Sequence, residues 1–102
     1  MPLHATYIKA ENRLDLTFSG NLDVTLSQDI WDICRQVPPD LVTCIVDLSE
    51  IDRLFDSGVA LLQMLYRRLQ DVGTIVVFLS DCPEVHERIS LITRRRSYPV
   101  EA

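Results

Sequence analysis

Apolar residues recur along this chain in two periods, and the switches between them mark out strands and helices in turn. Leu14, Leu16 and Phe18 alternate with Asp15 and Thr17, the period of a half-buried strand. An earlier run from Tyr7 to Ala10, turned by Glu11-Asn12, predicts its hairpin partner. Gly20-Asn21 breaks the second strand. Thr25-Leu26-Ser27-Gln28 has the form of a capping box, in which a hydroxyl and an amide satisfy early backbone donors of a helix. Leu26, Ile30, Ile33 and Val37 then follow at helical spacing with Cys34 beside them, and Pro38-Pro39 ends the helix. Trp31 falls off the centre of that stripe, as a core-edge aromatic or as an anchor for a partner.

The run from Val42 to Leu48 is almost continuously β-prone, the composition of a strand covered on both faces. From Val59 to Val72, Leu61, Leu62, Leu65, Leu69 and Val72 form a helical stripe that Gly73 is placed to cap. Thr74 to Leu79 is the most hydrophobic strand. Asp81-Cys82-Pro83-Glu84 starts a last helix, with Val85, Ile89 and Ile92 as its inward face. Residues 94–102 lose all periodicity and are expected to be an irregular tail. The order β-β-α-β-α-β-α predicts an α/β fold spanning 1–102 as one domain. Its expected sheet is mixed, of four to five strands, with helices packed against it and right-handed crossovers between parallel neighbours.

Length and composition agree with this picture. The 102 residues suffice for one hydrophobic core, and 47% apolar with 25% charged residues is ordinary for a globular chain. A net charge of −5 disfavours direct binding to a nucleic-acid backbone. The basic run Arg94-Arg95-Arg96 is short and follows a helix, where cations favour the last carbonyls and the dipole. Met1-Pro2-Leu3-His4 does not resemble a secretory leader, and no apolar run reaches the roughly 20 residues of a transmembrane helix. Cys34, Cys44 and Cys82 match no zinc or redox spacing and sit in apolar contexts, which suggests core thiols in a reducing cytoplasm.

Candidate chemistry is sparse. Neither phosphate-cradling glycine motif occurs, and carboxylates are scattered rather than grouped at ligand spacing, so no metal or cofactor is expected. His4 lies near the start and His86 on the polar side of the last helix. Ser57 and His86 would need a nucleophile elbow, and the G-x-S-x-G pattern is missing. Catalysis is not expected. The informative stretch is instead Asp56-Ser57-Gly58, where a buried strand gives way to a buried helix. A hydroxyl there sits among unpaired N–H groups at the positive end of the helix dipole, a setting suited to a phosphate. Asp47 at the strand's end and Asp23 before the first helix could share one rim with Ser57, since sites of open α/β sheets gather at that edge. Asp23, Asp56 and Ser57 could equally be helix caps.

These segments resemble the STAS domain, shared by sulfate transporters and bacterial anti-sigma factor antagonists. Gly20-Asn21-Leu22-Asp23 is similar to the family's G-x-L-D before the first helix. Val46-Asp47-Leu48-Ser49, then Asp56-Ser57-Gly58-Val59-Ala60-Leu61-Leu62, resembles its signature strand, phosphorylation loop and second helix. Gly73-Thr74-Ile75-Val76-Val77 through Pro83-Glu84-Val85 resembles the family's stretch after that helix. The resemblance implies a cytoplasmic bacterial phosphoprotein that regulates transcription by docking an anti-sigma factor with serine-kinase activity. Ser57 would be the phosphoacceptor, and Asn21, Asp23, Asp56, Ser57 and Gly58 would form the partner-binding rim. In a gapless match Phe55 stands where the family has its first loop aspartate; a one-residue deletion would give that place to Asp56. The chain is also similar to the STAS subunit of phospholipid-trafficking ABC transporters, through Thr43-Cys44-Ile45, Asp47-Leu48-Ser49 and Ala60-Leu61-Leu62. That branch implies docking to the transporter ATPase without phosphorylation.

Overall fold

Strands and helices form in the order the hydrophobic pattern predicts. The structure, a computed structural model, describes residues 2–96. Strand β1 (Leu3–Ile8) is antiparallel to β2 (Arg13–Leu22), which runs parallel to β3 (Thr43–Leu54), and β3 is parallel to β4 (Ile75–Leu79). Helix α1 (Ser27–Gln36) links β2 to β3, α2 (Asp56–Asp71) links β3 to β4, and α3 (Pro83–Arg96) follows β4. Among the described residues the sheet has four strands, in the spatial order β1-β2-β3-β4. The mixed α/β architecture is therefore as the sequence predicts.

One sheet face carries the core. Leu14, Leu16 and Phe18 of β2 and Cys44, Val46 and Leu48 of β3 are buried, as alternation along a strand requires. Ile30 of α1, Leu62, Leu65 and Leu69 of α2, and Val85, Ile89 and Ile92 of α3 pack into the same cluster. Thr74, the buried polar residue among those described, is satisfied by donating its hydroxyl to the Leu41 carbonyl at 2.9 Å.

Six local expectations are corrected. Gly20-Asn21 does not end β2, which passes through it with a shift of register to reach Leu22, and Cys82 is exposed rather than a core thiol. The first strand lies at Leu3–Ile8 rather than from Tyr7 to Ala10, because the turn is earlier and tighter. Lys9–Glu11 makes a 3-10 turn, and Asn12 takes a left-handed φ of 48° while its amide oxygen accepts the Tyr7 hydroxyl at 2.7 Å. Asparagine tolerates that conformation better than most residues. The strand expected at Val42–Leu48 is covered on one face, with Thr43, Ile45 and Asp47 half-buried, and Ile75, Val77 and Leu79 of β4 are exposed. All-apolar strands mimic double coverage in sequence whatever covers them. The capping box at Thr25 does not form: Asp23 caps a 3-10 turn at Val24–Leu26, and the Gln28 amide donates to Asp32 instead. Finally, α3 reaches Arg96, into the segment expected to be irregular from Arg94; 97–102 lie outside the described residues.

The thiols differ sharply in environment. Burial pushes Cys44 up to about 12, with the nearby Asp15 and Cys34 adding to the effect. Burial also raises Cys34, against the opposing influence of Arg68. Cys82 is exposed. Since the thiolate is the reactive form, an aromatic disulfide reagent at about pH 8 should modify Cys82 first and Cys44 only on unfolding. Prompt modification of Cys44 in the native protein would contradict its burial.

Candidate functional site

The strands β2 and β3 continue past the end of β4 as a two-stranded arm, and the candidate residues sit at its tip. Leu79, the last residue of β4, is level with Asp47, whereas β2 and β3 continue to the pairs Asn21–Arg53 and Leu22–Leu54. Parallel strands of matched length deliver their following turns side by side. Irregularities between Thr17 and Ser19 and between Gly20 and Asn21 adjust the register, and Gly20 takes φ 74°, a value open to glycine. The segments Asn21–Asp23 and Phe55–Gly58 thereby become neighbours although far apart in sequence.

The Leu22 carbonyl joins them. It accepts the Phe55 N–H at 3.0 Å and lies under the first turn of α2. A Cβ on Gly58 would fall 2.2 Å from that oxygen and 2.8 Å from its carbon. Gly58 is thus required by close backbone approach and not by helix propensity, which would favour alanine. Phe55 is the N-cap of α2, extended at φ −85°, ψ 161°, and its carbonyl accepts the Val59 N–H at 2.9 Å.

Of the sequence-identified residues, Asn21, Asp23, Asp56, Ser57 and Gly58 are all brought to this tip. Their local bonding separates the cap readings. Asp23 is a cap: its carboxylate accepts the Thr25 N–H at 3.0 Å and the Thr25 hydroxyl at 2.5 Å. These bonds, the hydroxyl first, hold its carboxyl below the ordinary value. Asp56 and Ser57 do not cap α2, since they are its first two residues and no side chain caps at Phe55. The half-buried Ser57 hydroxyl has no hydrogen-bond partner among the described residues. Asn21 is exposed.

Asp47 is not at the rim. It lies within β3, where its carboxylate accepts the Ser49 hydroxyl at 2.6 Å and the Ser49 N–H at 3.0 Å, bonds that lower its pKa. The strand continues to Leu54 through polar residues that hydrophobic periodicity does not read as a strand.

Two features of the tip escape a linear reading. Arg88 of α3 donates one guanidinium nitrogen to the Leu54 carbonyl and another to the Asp56 carboxylate, so it spans Phe55 from both sides. Its spacing from Val85, Ile89 and Ile92 sets it along the inward side of the helix, a signal that could have singled it out. Phe55 itself is 37% exposed, with the Arg53 guanidinium 5.2 Å from its ring centroid. Trp31 is 39% exposed and takes the Arg68 guanidinium over its ring at 4.8 Å. It lines an open groove of about 430 Å³ with Ala60, Gln63, Met64, Arg67 and Arg68. His86 is exposed, and Ser57 and His86 share no hydrogen bond. No group of three metal-binding side chains occurs among the described residues, nor does any helix among them have the length and apolarity to cross a membrane.

No family model matches the sequence, and no curated protein matches it. Solved structures do. The anti-sigma factor antagonist SpoIIAA in its unphosphorylated form superposes with TM-score 0.66 at 17% identity, covering 93% of this chain and 98% of that one. An anti-sigma factor antagonist from Mycobacterium paratuberculosis gives 0.65 at 22% identity, covering 95% and 83%. Mglu gives 0.60 at 26% identity over 72% of this chain, which spans only 18% of the Mglu chain. The fold is that of STAS domains and anti-sigma factor antagonists, as the sequence resemblance implied.

Proposed function

We propose, on the premise of this STAS fold, that the chain is a regulatory binding protein that docks an anti-sigma factor with serine-kinase activity through the tip at Ser57. The docked form has Ser57 unphosphorylated. In the proposed switch, the γ-phosphoryl group of ATP passes to Ser57 Oγ. The new Oγ–P bond replaces the bond to the leaving ADP, and the hydroxyl proton goes to a base of the kinase. Addition of about −1.5 to −2 charges at the docking surface then disfavours the complex.

The observation that carries this reading is the unpartnered, half-buried Ser57 hydroxyl at the joint of the two neighbouring segments. It is available to a transferring group because it stabilises nothing locally. Helical spacing continues the Ser57 side of α2 through Ala60 and Met64 into the groove beside Trp31, which would supply apolar contact area. Incubation with the cognate kinase and ATP should place one phosphate on Ser57, read by mass spectrometry of the digested protein. A phosphate elsewhere, or none, overturns the switch.

Phe55 and the engaged carboxylate of Asp56 favour a second reading, in which the same surface docks the ATPase of a phospholipid-trafficking ABC transporter without being phosphorylated. A pulldown that recovers an ATPase rather than an anti-sigma factor decides for it.

A further inference from the structure

Strand β4 is an edge of the sheet; among the described residues only β3 pairs with it. A free row of N–H and C=O groups is a template for another strand, and natural edges are blunted by charges, prolines or bulges. The opposite edge is blunted: β1 follows Pro2 and sets His4 and Thr6 on the sheet face away from the core. β4 reads Ile75-Val76-Val77-Phe78-Leu79, with no charge, proline, glycine or shift of register. Its Ile75, Val77 and Leu79 are exposed on the face away from the core. Polarity along that face falls toward this edge, from Arg13, Asp15 and Thr17 on β2, through Ile45 on β3, to the three apolar residues of β4.

The backbone fixes how a further strand fits. The Ile75 N–H donates to the Val42 carbonyl at 2.9 Å. Successive residues of a strand turn their backbone groups to opposite sides, so Ile75, Val77 and Leu79 serve β3 while the N–H and C=O of Val76 and Phe78 face the open edge. A two-fold axis through Val77 sets Val76 and Phe78 of one copy against Phe78 and Val76 of another as hydrogen-bonded pairs. Val77 then faces its own counterpart and Ile75 faces Leu79 in non-hydrogen-bonded pairs, where side chains come closest. Asp81 falls opposite Gly73, so no carboxylate meets another.

We propose that β4 is a self-association edge, at which two copies pair antiparallel about Val77 into one sheet with four strands from each. The occupant is a second copy because this strand is complementary to itself. All five residues pair, each exposed apolar side chain meets another, and no like charges are opposed. In a chain of net charge −5 an uncharged strip is also where two copies approach with least repulsion. Since β3 runs parallel to β4, the two Ser57 tips lie at opposite ends of the joined sheet and stay open to partners. The inference holds whether or not Ser57 is modified.

Sedimentation velocity of the full chain between about 10 μM and about 1 mM, the range of a small interface, should show dimer growing with concentration. The mass should rise from 11.7 kDa toward twice that value. V77K and V77E should each weaken the dimer by at least about 10-fold, because like charges then oppose one another at the axis. An equimolar mixture of the two should restore it, which only a contact of position 77 with itself would do. No dimer in the wild type, a dimer that both variants leave intact, or a mixture that stays monomeric overturns the proposal. Should the variants not fold, hydrogen exchange of the wild type still decides. The Val76 and Phe78 amides should exchange at least about 10-fold more slowly at the high concentration than at the low one, while Val77 and Leu79, held by β3, stay unchanged. Equal protection of Val76 and Phe78 at all concentrations would assign the edge to another segment of this chain and overturn the proposal, as would rapid exchange throughout.

Discussion

Replacement of Gly58 by alanine is expected to destabilise the protein by roughly 3 kcal/mol or more, among the largest effects of any single methyl group in this chain. In an ordinary helix the same change gains up to about 1 kcal/mol, because glycine has the greater backbone freedom to lose. Here the new Cβ would lie 2.2 Å from the Leu22 carbonyl oxygen and 3.0 Å from Leu22 Cδ2. Backbone cannot rotate away as a flexible side chain can. Relief requires α2 to lift from β2, which breaks the Phe55–Leu22 hydrogen bond and opens the core around the fully buried Leu22. Each kcal/mol lowers the melting temperature of a domain this size by about 4–8 °C, so a fall of more than ~10 °C is expected. A Gly73→Ala control has open space and only the strain of φ 86°, costing about 1–2 kcal/mol. Thermal unfolding followed by circular dichroism checks both. G58A melting within a few degrees of wild type would mean that the two segments of the tip are not in contact.

The second large effect is on binding. Ser57→Asp is expected to weaken the partner complex by about 100-fold, or ~3 kcal/mol, as like-charge juxtaposition at an interface costs. Stability should move the other way. An acidic residue in the first turn of α2 interacts favourably with the helix dipole, so the variant should melt no lower than wild type. Ser57→Ala separates the roles further. Because the hydroxyl caps nothing, its loss should change stability by less than about 0.5 kcal/mol while abolishing modification. Calorimetric titration with the partner, run beside melting curves of the same preparations, reads both quantities. Undiminished affinity of the aspartate variant would remove the electrostatic basis of the switch.

Both expectations rest on a site that is partly legible in the residues themselves. Asn21, Asp23, Asp56, Ser57 and Gly58 belong to short motifs flanking predicted helices, and motifs of that kind survive as local signals. The elements on which they sit are legible for the same reason: Leu14-Leu16-Phe18 and Leu62-Leu65-Leu69 obey the two periods that strands and helices impose. Sequence and structure part where local chemistry has rival solutions. Thr25 has the residue type of a cap for α1, yet Asp23 is the better acceptor and takes the Thr25 N–H and hydroxyl for itself. Hydrophobic periodicity ends β3 near Leu48, whereas its continuation through Ser49, Glu50, Asp52 and Arg53 is held by pairing with β2 rather than by burial. Asp47 consequently lies in the interior of a strand and away from the rim.

By itself, then, the sequence determines the order of elements, the buried side of β2 and of the helices, and the candidacy of Ser57, since all three follow from residue type and spacing along a line. The tertiary structure alone decides what surrounds that serine. The parallel register of β2 and β3 sets the Leu22 carbonyl against Gly58, and the packing of α3 carries Arg88 back to Leu54 and Asp56. These contacts join residues more than thirty positions apart, and no local propensity encodes a distance that only the closed fold creates.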